Sequence, residues 1–383
     1  TSAAGDPLNA NVPGTYGPGA EEVAHPPSSL MAPTEIRLQG RSYTVAKPWA
    51  DLGARHLERS LFFHHATYTP VHQDLPEVMR LMGAADDDEM LVSILARELA
   101  PGLGSIQNVP ISLGASGTGN ELLTSGGRVL ANVGPTAIRK ALGGDDGPLG
   151  DLRALRDRYV DRMYEVFKEH GSRGDRRLID AWVRSRDDVR NISQDLLGLL
   201  DSIEDNNEDA QATAAVVLTA MNISPVVTMR STFGGDNHVD PNLEREVNGH
   251  VDCIGRVKRM LDELDGLRSS GVVRNDVLVG SINVFGRTLR KKGIQGRDHN
   301  RAHHVTVMFG DAFRGQVVGG IERVGKDYGA TSIDAQTGAA RGNIPFEETF
   351  ASMAKTLGVA MGVPRSTMDA RVKLGQVVEA ALS

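Results

Sequence analysis

A chain of 383 residues is long for a single domain and short for three, so length alone admits one or two. The composition is globular, with 40% hydrophobic residues, but 43 glycines and only 4% aromatics imply a lean core and many tight connections. A formal net charge of −7 excludes the broad basic surface that general nucleic-acid binding needs, no apolar run reaches the roughly 18 residues of a membrane span, and the one cysteine, Cys253, excludes an internal disulfide or a thiolate cluster.

Residues 1–33 carry Pro7, Pro13, Pro18, Pro26, Pro27 and Pro33 among glycines, which predicts an extended arm lying on the body or reaching a neighbouring subunit. From residue 34 to 383 the pattern predicts one α/β domain. Ile36–Leu38 and Tyr43–Val45 flank Gln39-Gly-Arg as two short strands, Ala50–Arg59 reads as helix, and Leu61-Phe-Phe opens a strand. His64, His65 and His72 follow it, either as ligands and anion binders or as polar residues that pack a loop. Helical spacing recurs over Leu75–Met82 and Asp87–Leu99, and Val109–Leu113 is a strand.

Apolar stripes through Leu152, Leu155, Tyr159, Val160, Met163 and Phe167, and again from Leu178 to Ile203, predict a long helical hairpin inserted at 151–207. Such stripes suit a core or a subunit seam. Together with the arm they make self-assembly the expected partnership. The small, apolar Ala210–Met221 helix leads into a β-branched strand from Ser224, and the loop Thr232–Asp240 follows. Asp240-Pro241 signals the start of a helix running to Leu267. Val305–Phe309 and Gln316–Ile321 are late strands, read as an antiparallel pair, and Pro345–Gly358 is a helix.

The chemistry concentrates in two loops. Asp236 and His238 follow one strand; Asp298, His299, His303 and His304 follow another, near Arg287 and Arg297. Carboxylates beside imidazoles suit a divalent metal (zinc, calcium or magnesium), and arginines suit a phosphate or sulfate. Two strands that each end in an Asp-His pair can converge on one crevice of an α/β sheet.

The segments Phe233-Gly-Gly-Asp-Asn-His, Val284-Phe-Gly-Arg-Thr and Gly296-Arg-Asp-His resemble the motifs of a sulfatase-like bacterial family of unknown function, exported by the twin-arginine route, within the alkaline phosphatase superfamily. The likeness runs from about Asp6 to Leu357 and is specific in those three segments. It implies a mainly parallel sheet between helices, one or two divalent metals, and hydrolysis of a phosphate or sulfate ester. By the same resemblance Asp236, His238, Asp298 and His299 are metal ligands, joined in the reading of the residues by His303. Arg287 and Arg297 offset charge on the transferred group. No apolar strand precedes Asp6 to deliver the nucleophile, which leaves Thr67 and Thr69 as candidates, and Asn300 stands where the family has an aromatic residue. A start at Thr1 fits a mature, trimmed or incomplete chain, and of these the resemblance favours a removed export signal and a periplasmic or extracellular protein. The other implication is a catalytically degenerate scaffold or assembly subunit that keeps the fold.

Overall fold

A computed structural model describes residues 28–105, 107–115, 122–142, 150–176, 179–180, 183, 194–231, 237–291 and 295–382. The expected arm up to residue 27 and Asp236 lie outside them. The chain is mixed α/β. Contacts group it into two compact units, a division finer than the one domain expected from 34 to 383. One unit is formed by the chain up to Leu91 with Ser231–Asp262 and Asp276–Ser383, the other by Val92–Arg230 with Glu263–Asn275.

The first unit opens with the hairpin Pro33–Leu38 and Arg41–Ala46, paired from Pro33↔Ala46 to Leu38↔Arg41. Gln39 and Gly40 make its two-residue turn, both at positive φ (46° and 76°), as a tight hairpin of right-handed twist requires. The helix expected over Ala50–Arg59 is instead two short turns, Lys47–Ala50 and Ala54–Leu57, because Gly53 at φ 84° breaks the chain between them.

A four-stranded sheet forms the centre of this unit. Its order is Gln316–Val318, Ser60–His65, His304–Phe309, Val279–Gly280. The middle two strands are antiparallel, in register from His304↔His65 to Phe309↔Ser60, and every residue of both is buried. Burial on both faces explains why Leu61-Phe-Phe and Val305-Thr-Val-Met-Phe read as unbroken runs instead of alternating. Only Gln316–Val318 runs parallel to its neighbour, so this sheet is mixed where a mainly parallel one was expected. The late strands Gln316–Val318 and His304–Phe309 do not pair with each other; both flank Ser60–His65.

Alternation along the strands gives each face its own cover. Phe62, Val305, Val307 and Phe309 pack with the hairpin, Trp49 and one stripe of the Glu244–Ser269 helix, through Val247, Ile254 and Leu261. On the other face the Thr349–Ala360 helix brings Phe350 onto the ring of His65, centroids 5.0 Å apart. The Glu244–Ser269 helix starts three residues later than its Asp240-Pro241 signal predicts. Leu243 first takes a positive φ of 57°, and the Asp240 carboxylate then accepts from the Glu246 N–H.

The second unit holds a three-stranded parallel sheet in the order Asn132–Val133, Ile111–Leu113, Val227–Thr228. Around it are the helices Leu91–Leu103, Pro135–Leu142, Gly150–His170, Gln194–Asp201 and Glu208–Ala220. The first helix of the expected hairpin is present as Gly150–His170. It ends at Gly171, where Ser172 and Asp175 exchange backbone-to-side-chain bonds as a reciprocal cap for the turn that follows. Much of the returning segment lies outside the described residues. Among them no helix is long and apolar enough to cross a membrane.

Candidate metal centre

The site belongs to the first unit and starts from a two-stranded ribbon. Gly286–Lys291 pairs antiparallel with Arg297–Asn300, so that Gly286 faces Asn300 and Arg287 faces His299. Each residue of Phe285-Gly-Arg-Thr has a physical task. Phe285 is fully buried and its ring stacks on His299 at 4.0 Å. A Cβ on Gly286 would stand 2.0 Å from the His303 carbonyl oxygen, so only glycine admits that close crossing. Arg287 is 1% exposed, with its guanidinium 3.5 Å from His238 Nε2. The Thr288 hydroxyl accepts from the Asp298 N–H at 2.9 Å, and Asp298 in turn accepts from the His299 N–H at 2.9 Å.

A folded-back loop after the Ser60–His65 strand completes the cup. The Thr69 hydroxyl donates to Asp74 at 2.5 Å and accepts from the Val71 N–H at 3.1 Å, which closes residues 69–74 into a compact turn. Tyr68, at φ 65°, is held by its hydroxyl bond to the Phe346 carbonyl. The loop therefore places two groups at the ribbon. The Pro70 carbonyl accepts from His299 Nδ1 at 2.5 Å, and the exposed His72 ring stands edge-on to His299 and to Phe285, at 4.6 and 4.8 Å. His238 arrives from the turn Asn237–Val239, tied to the ribbon by the Gly296 N–H, which donates to its carbonyl.

One nitrogen from each of His72, His238 and His299 lies within 4.8 Å of the others. His238 Nε2 and His299 Nε2 are 2.8 Å apart, and His238 Nδ1 is 3.6 Å from Asp298 Oδ1. Burial lowers the His299 pKa below its ordinary value, partly offset by the Pro70 carbonyl, with Arg287 and the two neighbouring imidazoles adding to the depression. His299 is thus kept neutral with its proton on Nδ1, and the Nε2 lone pair faces into the cup. If a neutral His238 fills that lone pair from Nε2–H, a bare Nδ1 confronts the Asp298 carboxylate. A cation shared by the two Nε2 atoms removes that contact, because it leaves Nδ1–H of His238 to donate to Asp298. The donors therefore fit a metal ion: two nitrogens on one tetrahedral zinc would stand roughly 3.3 Å apart, half an ångström from their present spacing.

Of the residues expected at the site, His238, His299 and Asp298 come together with Arg287. His303 does not join them. Its ring stacks on His64 at 5.2 Å and the two share a 2.9 Å hydrogen bond inside the protein. Arg297 is also turned elsewhere: it donates to the fully buried Glu246 at 2.7 Å and to the carbonyls of Thr288 and Leu289, because a carboxylate enclosed in the core requires a counter-charge. His64 and His65 are core residues that burial lowers to about 3 and about 4, and His304 lies well below its ordinary value for the same reason. Thr67 is buried with no hydrogen-bond partner for its hydroxyl among the described residues, and Thr69 is engaged with Asp74. Asn300, in the expected aromatic position, donates to the Tyr328 carbonyl and accepts from the Ala302 N–H.

In the sequence His72 stands with His64 and His65 as a ligand, an anion binder or a loop-packing residue, outside the expected metal set, and nothing there assigns a role to Phe285 or the Pro70 carbonyl. Two signals pointed to His72: it stands apart from the strand that buries His64 and His65, and it sits in a loop rich in turn-forming residues. Comparisons with protein-family models, with curated proteins and with solved structures find no match to this chain.

Proposed function

We propose that the chain is a metal-dependent hydrolase of phosphate or sulfate esters, with the sulfatase-like, alkaline-phosphatase-type architecture that its motifs resemble and an exported location. The observation that carries this reading is the meeting of His238 and His299, one from each motif loop, at 2.8 Å with the Arg287 guanidinium 3.5 Å from the same nitrogen. A divalent cation held there supplies polarisation of the ester oxygen and a lowered pKa for a bound water. The chain's own residues do the rest. The Pro70 carbonyl fixes the tautomer of His299, Phe285 sets the plane of its ring, and the positive charge of Arg287 beneath the cup opposes negative charge developing on the transferred group. Because Thr67 and Thr69 are enclosed, water is the nucleophile in this scheme. The test is a panel of aryl phosphates and aryl sulfates offered to the metal-loaded chain and to His299→Ala. Metal-dependent turnover that disappears in the variant is expected; a loaded chain that leaves every ester intact refutes the hydrolase.

A second reading, an assembly subunit on the same fold, is favoured by Tyr159, Met163, Val166 and Phe167, which form an exposed apolar stripe on the Gly150–His170 helix. Size-exclusion chromatography with light scattering checks it. A monomer at all concentrations removes it.

A further inference from the structure

The donor set identifies both the ion and the ligands more narrowly. We infer that the site is a single-ion, three-imidazole centre for zinc or a similar transition metal, that His72 is its third ligand, and that Asp298 stands outside the ion as the acceptor that positions His238. This rests on the metal part of the hydrolase reading and deepens it.

Three neutral imidazole nitrogens are borderline-soft donors that suit zinc and its neighbours, whereas calcium and magnesium select oxygen ligands. The three nitrogens already lie within 4.8 Å of one another, and each ring is held from behind. His299 is pinned between the Pro70 carbonyl and the Phe285 face. His72 packs edge-on against the same two rings, His299 and Phe285. His238 is anchored through its own carbonyl to Gly296, with Nδ1 turned to Asp298 at 3.6 Å. A carboxylate on the far nitrogen of a ligating histidine is the usual outer support of such a metal, fixing the tautomer and raising the basicity of the ligand. Asp298 is itself held by the Thr288 hydroxyl and caps the His299 N–H, so it is built in as a support. Among the described residues the centre has three protein nitrogens and an exposed edge at His72, which leaves a fourth position to solvent, the pattern of a reactive centre and not of a structural one.

The experiment strips the full chain with chelator, dialyses it against an equal mixture of zinc, calcium and magnesium salts, and counts retained metal. Cobalt(II) spectra are then recorded on the wild type, His72→Ala, His72→Cys and Asp298→Asn. We expect one zinc per chain, no retained calcium or magnesium, and the intense visible bands of low-coordinate cobalt. Asp298→Asn keeps the stoichiometry but weakens affinity by roughly 10- to 100-fold. His72→Ala weakens it further. His72→Cys restores binding and adds a sulfur-to-cobalt charge-transfer band, a signature that a merely structural role for residue 72 cannot produce. His72 is exposed, so these variants test binding without a folding penalty. Wild-type affinity in His72→Ala, a folded His72→Cys without the sulfur band, or retention of calcium or magnesium overturns the inference. Zinc bound as expected with all esters intact refutes the hydrolase and leaves the centre standing. Ester hydrolysis supported by magnesium in His72→Ala does the reverse.

Discussion

Acid should unfold this chain through the histidines enclosed in its first unit, and the size of the effect follows from their surroundings. Burial holds His64 at about 3, His65 at about 4 and His250 at about 3, against an ordinary value of 6.5, while His303 and His304 are lowered well below it. The unfolded chain takes up protons on these rings near pH 6.5, whereas the folded chain resists until far lower. The stability they permit is therefore fully present above that pH and lost as the pH falls toward the folded values. Each ring that must charge on unfolding weighs about 1.4 kcal/mol per pH unit. Counting only His64, His65 and His250, that is about 4 kcal/mol between about pH 6 and about pH 5, a large part of a typical stability of ~5–15 kcal/mol. Urea unfolding followed by circular dichroism across this range, in chelator, measures it as the slope of free energy against pH. The expected slope corresponds to uptake of about three protons or more. His65→Phe, which preserves stacking on Phe350, should reduce it by about one. A stability independent of pH below 6.5, or an unchanged slope in His65→Phe, would show that these enclosed rings do not govern acid unfolding.

Other substitutions probe the site and its support. Gly286→Ala forces a methyl against the His303 carbonyl and should destabilise the chain by about 1–3 kcal/mol in thermal or urea melts while weakening metal retention, since Arg287 shares the displaced strand. Arg297→Met leaves Glu246 charged and enclosed, so a loss of about 3–5 kcal/mol is expected, much of it recovered by Glu246→Gln in the same chain. Removing the nearby positive charge with Arg287→Gln should raise the His299 pKa, seen as an upward shift of its imidazole titration by NMR in the metal-free protein. Phe285→Ala removes the plane on which His299 rests and should lower stability by about 3–5 kcal/mol as well as metal affinity.

Much of the centre of the fold was legible in local pattern. Leu61-Phe-Phe and Val305–Phe309 announced two enclosed strands, and Gln39-Gly40 announced a hairpin turn. What pattern could not convey was direction. Whether Gln316–Val318 or His304–Phe309 runs parallel to Ser60–His65 depends on pairings across some 240 residues, as the bond from His65 to Thr306 illustrates. The failed Ala50–Arg59 helix had its cause in view at Gly53, whose positive φ no helix tolerates. At the site, residue types pointed to metal and anion chemistry, but His303 and His72 have the same imidazole, and only burial assigns one to the interior and the other to the cup. Arg297 is a parallel case, since its attachment to Glu246 follows from where the Glu244–Ser269 helix packs and has no local signature.

The pairing of Arg287 with His299 on one rung of the ribbon makes the centre intolerant of slippage. A shift by a single residue would swing His299 to the opposite side of the ribbon and break the Thr288–Asp298 link in the same movement. Changes of length that alter strand alignment should therefore abolish the centre more completely than most point substitutions around it.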